Sequence, residues 1–215
     1  MDLELIARIY PHFLEGALVT IAISSVALVF GLLGAATAAA AKLSRHFPVR
    51  FVGSAYVSVF RGTPCLIQIF ILYFGGPQVG IHLDPFAAGA IGLGLNIGAY
   101  MAEAIRGAIV AVDRGQVEAS RTLGFSARQT MQRVVVPQAA RLMIRPLGVN
   151  AVALVKGSAL VSTISVIELT YTAQRFISST YKPFEVCAVA GVIYMIIVYG
   201  LSRVVDSVDA RFALK

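Results

Sequence analysis

Asn96, Tyr100 and Glu103 recur at i, i+4 and i+7, a spacing that puts them on one face of a helix. A carboxylate there can pair with an ammonium group, and an amide can bind a carboxylate. The alternative use is joining helices, with Glu103 paired to Arg106. Lys156 stands alone in the apolar run Pro146–Ile167, where an ammonium needs a carboxylate or a route to water. It could read the carboxylate of a solute; the favoured expectation is a structural pair with Glu103 or Glu168. Ser158, Ser162 and Ser165 line a face that can hydrate a path or bond backbone carbonyls. Asn150 is a further candidate for a pathway. Arg61 is expected to be a structural anchor, and His12, His46 and His82 to be ordinary loop or helix-end residues. These groups bind and hold. No His/Asp/Glu set has metal spacing and no nucleophile stands beside a base, so an enzyme is not expected.

Long apolar segments must position these residues. Of 215 residues, 58% are hydrophobic and 13% charged, where a soluble domain carries about 25% charged residues; the mean hydropathy is +0.80. Gly16–Ala41 holds no charge over 26 residues, about 39 Å of helix against a hydrocarbon core of about 30 Å. Charge is also absent from Gly62–Leu83, Pro85–Ala102 and Val186–Ser202. The expectation is an all-α, polytopic membrane protein with five spans, since backbone groups in lipid must be satisfied within the segment. The spans are placed at Phe13–Ala41, from Arg61 to Gly75, Pro85–Arg106, Pro146–Ile167 and Phe184–Val204. Val49–Phe60, of mixed polarity, is expected along the cytoplasmic face, and Glu168–Pro183 in a partly wet external segment. No linker or repeat divides residues 1–215, which read as one transmembrane domain. Gly31 and Gly34 offer one face for packing against a second copy.

The net charge of +7 does not point to nucleic acid, because its distribution follows the spans. Three regions that alternate onto one side hold thirteen basic residues: Lys42, Arg45 and Arg50; seven between Arg106 and Arg145; and Arg203, Arg211 and Lys215. Arg8, Arg175 and Lys182 face the other side. This asymmetry predicts an external N-terminus and a cytoplasmic C-terminus. The N-terminal flank, with Asp2, Glu4, Arg8 and Glu15, is wrong for a signal peptide. Cys65 and Cys187 sit in apolar runs and support neither a disulfide framework nor a metal site.

One polar island interrupts the apolar chain, Glu118–Ala139, within a loop of about residues 106–145. Gln116–Leu123 contains good helix formers, and Glu118 can pair with Arg121 or Thr122. Gly124 breaks this helix because glycine takes a positive φ without steric cost. Ser126 with Gln129 has the form of a capping box. The second helix is expected to stop before Pro137. The product is a helix–Gly–helix knob on which Ala119 and Leu123 share a face. It can insert into a groove on another protein or lie on the bilayer.

Glu118-Ala119-Ser120, Gly124, Val134, Val136 and Pro137 together resemble the EAA loop of ATP-binding-cassette importer permeases. The blocks FRGTPCLIQIFILYFG, LNIGAYMAEAIRGAI, RGQVEASRTLG and VPQAARLMIRPLGVN are similar to the polar amino-acid branch, the histidine, glutamine and arginine permeases. The resemblance runs from the first span to the tail. It implies the type I importer permease fold in a bacterial inner membrane, dimerised with the same or a related chain. It implies a cytoplasmic ATPase dimer gripping Glu118, Ala119, Ser120, Leu123, Gly124 and Pro137, and a periplasmic solute-binding protein delivering a polar amino acid or derivative such as an opine. The chain has no phosphate-binding loop, so ATP and Mg are expected on the partner ATPase, with no cofactor here. Asn96, Tyr100, Glu103, Asn150, Lys156, Ser158 and Ser162 are the pathway candidates. Relatives read similarly to K-D-T-S-L where this chain has Lys156-Gly157-Ser158-Ala159-Leu160, which removes an acid. A secondary carrier using Glu103, Lys156 and Glu168 as a relay is the competing reading, and it leaves the island unexplained.

Overall fold

The computed structural model describes residues 3–212, which are helical almost throughout; Asp2 and Lys215 of the charge pattern lie outside them. α1 (Leu3–Lys42) is one 40-residue helix. It begins about ten residues before the expected span. The reason is the stripe Leu5, Ile9, Phe13 and Ala17, which is buried against α8 and α9 despite the charges around it. Pro11 lies inside this helix.

α2 (Phe47–Gly62) carries Pro48 in its first turn, where a missing N–H is harmless. It does not lie across the end of α1, as its mixed composition suggested. It runs back along α1: a Cβ on Gly53 would stand 2.9 Å from that of Ala41 and 3.1 Å from Ala38 O. Farther along, the Tyr56 hydroxyl donates to Leu95 O at 2.7 Å, midway down α4. Tyr56, one of the polar residues that suggested an interface, is thus consumed in a helix contact. At Thr63–Pro64 the chain bends by 106° into α3 (Cys65–Phe70), a π turn (Ile71–Gly75) and a 3-10 turn (Gly76–Val79).

α4 (Pro85–Val110) is the central helix. Asp84 caps it, accepting from the N–H groups of Phe86 and Ala87, and Pro85 sets its first turn. It crosses α1 closely. A Cβ on Gly98 would meet Gly31 O at 2.9 Å, and one on Gly94 would meet Ala27 O at 3.0 Å. Gly31 therefore serves the α1–α4 contact within the chain, not the face toward a second copy expected for it. In lipid such close packing, rather than exclusion of water, holds helices together.

After the short helices α5 (Arg114–Thr122) and α6 (Ala127–Thr130), a π turn (Met131–Val135) leads straight into α7 (Val136–Gly157). The helix does not stop before Pro137. The Val136 N–H donates to Met131 O, five residues back. This wider turn relieves the clash a proline ring makes with the i−4 carbonyl. Consequently Ala127–Ile164 forms one candidate span, longer than the expected Pro146–Ile167. α7 passes into a 3-10 segment (Ser158–Ile164), ended by Ser165 at φ +66°. α8 (Leu169–Thr180) and α9 (Pro183–Phe212) complete the fold. Among the described residues, four helices are long and apolar enough to cross a membrane, and the bent α2–α3 pair makes up to five.

Candidate functional site

The polar island folds into two short helices joined at Gly124, with most of their residues exposed. Asp113 caps α5, accepting from the Gly115 N–H at 2.7 Å. At the other end Gly124 has φ +80°. The Gly124 N–H donates to Arg121 O at 2.9 Å, and the Phe125 N–H donates to Ser120 O at 3.0 Å, the bond pair of a Schellman ending. The capping box forms in full: the Ser126 N–H donates to Gln129 Oε1 at 2.8 Å, and the Gln129 N–H to Ser126 Oγ at 3.3 Å. Ser120 and Thr130 hydroxyls, both buried, meet at 2.9 Å and pin α5 to α6. Ser120 is thus an internal strut of the knob; it is not on the surface expected to meet an ATPase. Glu118, Ala119, Leu123 and Pro137 are exposed, and Leu123 keeps 77% of its surface free. Glu118 forms no ion pair with Arg121; its carbonyl accepts from the Thr122 hydroxyl. Beneath the knob, Ala108, Val112, Val135 and Ala139 form a small core between the end of α4, the π turn and α7, with Val117 of α5 packed against it.

The Asn96 face of α4 gathers a second set of groups. The Asn96 amide donates to Phe60 O and to Gln68 Oε1, each at 3.0 Å. Gln68 in turn donates to Phe60 O, Thr63 O and Thr63 Oγ1. This network holds the broken corner between α2 and α3 against the middle of α4. The sequence pattern places Gln68 only within the uncharged run Gly62–Leu83; a lone amide in such a run is the signal that points to this network. One turn on, Tyr100 is 40% exposed, with the Arg61 guanidinium 5.1 Å from its ring centroid. Glu103 is held by both Lys42 and Arg106, the latter at 3.0 Å, which joins the end of α1 to α4.

Lys156 does not pair with Glu103 or Glu168. It is exposed in a groove between α7 and α9, with Arg145 and Asp206 along the same groove. Glu168 is fully buried. Its Oε1 accepts from the Tyr171 N–H at 2.8 Å, capping α8, and its Oε2 accepts from the Tyr194 hydroxyl at 2.8 Å. The Thr20 hydroxyl lies 3.4 Å from Oε2 and 3.2 Å from the Leu169 nitrogen, whose N–H it accepts. The sequence alone put this acid in a wet external segment; its place at the start of an amphipathic helix was the missed clue. Ser158 and Ser162 turn back to bond the carbonyls of Val155 and Ala159, both at 2.8 Å. The Asn150 amide likewise bonds Pro146 O. A Cβ on Gly157 would meet nothing within 4 Å.

The family model of the binding-protein-dependent transport system inner membrane component matches residues 27–213. The nopaline transport system permease protein of Agrobacterium fabrum is 35% identical, over 95% of this chain and 89% of that protein. The L-cystine transport system permease protein of Bacillus subtilis is 38% identical, over 94% and 87%. The arginine transport system permease protein of the same organism is 36% identical, over 98% of both. A crystal structure of an amino acid ABC transporter with histidines matches with a TM-score of 0.93 at 34% identity, covering 98% of this chain and 99% of that one. The methionine ABC transporter MetNI, inward facing, shares the fold at a TM-score of 0.81 and 19% identity.

Proposed function

The chain belongs to the family of binding-protein-dependent transport system inner membrane components, and from that premise we propose that it is the permease subunit of an ATP-driven importer for polar amino acids or their derivatives, opines included. As a member of that family it is a transport component rather than an enzyme. The observation that carries the coupling half of this reading is the knob, whose exposed Glu118 and Ala119 lie on α5, a helix capped at both ends, and whose exposed Leu123 ends it. A cytoplasmic ATPase dimer grips this surface, using ATP and Mg that the permease itself does not bind. Closure of the ATPase moves the knob, and the small core beneath it transmits the shift to α4 and α7. A ligand drives such a change only by binding one state better than the other, so the periplasmic binding protein and ATP must each favour one conformation. A second permease, the same chain or a related one, completes the pathway, with Asn96, Tyr100 and Lys156 as its polar lining. The N-terminus lies in the periplasm and the C-terminus in the cytoplasm.

The test is reconstitution of the chain with its co-encoded ATPase and binding protein in proteoliposomes. A subset of polar amino acids or opines stimulates ATP hydrolysis and accumulates inside. Uptake that ignores ATP depletion and collapses with an uncoupler would establish a secondary carrier instead.

A further inference from the structure

Arg61 occupies an unusual position. It ends α2 just before the Thr63–Pro64 corner, is exposed, and stacks over the Tyr100 ring at 5.1 Å. Tyr100 lies ten residues from the Val110 end of α4 and fifteen from its Pro85 start, about 15 Å and 22 Å of helix. A hydrocarbon slab of about 30 Å centred on α4 puts that ring roughly 10 Å inside its nearer edge. At such depth an arginine faces protein or a water-lined cavity, with an acceptor for its charge. Within this chain none is offered: among the described residues Arg61 makes no ion pair and no hydrogen bond. The Glu103 carboxylate and Gln68 Oε1 are taken. Glu103 holds Lys42 and Arg106, and the Gln68 and Asn96 amides hold each other, Thr63 and Phe60. The five N–H donors of its planar fork therefore have no acceptor among the described residues of their own subunit.

We infer that Arg61, held on the Tyr100 ring, receives a carboxylate of the transported solute. The inference rests on the permease reading above and adds what the site selects. A guanidinium binds a carboxylate through two parallel charge-assisted bonds, which no ammonium reproduces. The ring beneath fixes the plane of the fork, and the Asn96–Gln68–Thr63 network fixes the corner that carries it. Neither Glu103 nor Glu168 is free to receive a cationic side chain, and Gly157 brings none. The carboxylate, rather than a positive side chain, is what this face reads.

The test uses the purified permease–ATPase complex without the binding protein, and measures equilibrium binding of radiolabelled L-glutamine, L-arginine and L-histidine, each competed by its α-carboxamide. The wild type prefers at least one free amino acid over its carboxamide by about tenfold or more. Arg61→Gln loses that preference, and Arg61→Lys retains part of it. In a background lacking Cys65 and Cys187, Arg61→Cys reacts with a water-soluble thiosulfonate in membranes. Three results overturn the proposal: an unchanged preference in Arg61→Gln, a wild type that treats acid and amide alike, or an Arg61→Cys that stays inert until the protein is unfolded. A defect of Arg61→Gln that follows only the phosphatidylglycerol content of the vesicles also overturns it, in favour of a lipid headgroup. In each case the permease reading stands if solute-loaded binding protein still stimulates hydrolysis; that reading fails if no solute does.

Discussion

Glu168 shows how an acid is kept in an apolar bundle. Its two oxygens accept from a helix N-terminus and from Tyr194, with Thr20 close by, so a backbone N–H of α8 and side chains of α1 and α9 converge on one carboxyl group. Removing it leaves the part-buried Tyr171 N–H without its acceptor and takes one partner from the Tyr194 hydroxyl, which keeps Thr170; an orphaned donor costs about 1–3 kcal/mol. Glu168→Ala is therefore expected to destabilise the purified protein by roughly 2–4 kcal/mol, read as a lowered thermal midpoint in detergent. Tyr194→Phe removes the bonds to Glu168 and Thr170 and should cost about 1–2 kcal/mol. Equal midpoints for wild type and Glu168→Ala would refute the clamp. This carboxyl group differs from Glu103, which keeps partial access to solvent and balances two cations.

Among the elements, the knob concentrates the most conformational constraint into the fewest residues. Gly124 sits at φ +80°, where a side chain other than glycine costs about 1–2 kcal/mol. Gly124→Leu is expected to insert normally yet lose most solute uptake, because the Schellman ending no longer aims Leu123 at the ATPase. Normal uptake by a well-inserted Gly124→Leu protein would end the coupling reading. Leu123→Asp leaves the backbone intact and should release the ATPase during co-purification, which separates contact from geometry. Gly124, Ser126 and Gln129 were legible in the sequence because turns and caps obey local rules. Pro137 misled, since a proline stops an ordinary helix, whereas a π turn lets the backbone pass it. Val49–Phe60 misled for a related reason: Tyr56 and the Phe60 carbonyl find partners on α4, and no local pattern reveals a partner about forty residues away. Lys156 and Glu168 failed as a pair on the same ground, because complementary charge says nothing about distance.

At the scale of the whole molecule, the proposed orientation makes a direct prediction. In a protein lacking Cys65 and Cys187, Glu4→Cys should react with an impermeant thiol reagent added to spheroplasts, and Ser207→Cys only after permeabilisation. The reverse pattern would invert the topology. The same global view gives the N-terminal half of α1 a particular place in biosynthesis. Leu5, Ile9, Phe13 and Ala17 pack against α8 and α9, and Thr20 meets Glu168 across 148 positions of sequence. At about 5–20 residues per second, the ribosome needs roughly 10–30 s to make the partners of a helix it has already released. The N-terminal half of α1 is thus among the last parts to be sheltered, although its other half already packs on α4, and a chain that stops short of α8 leaves that half for membrane chaperones and proteases to find.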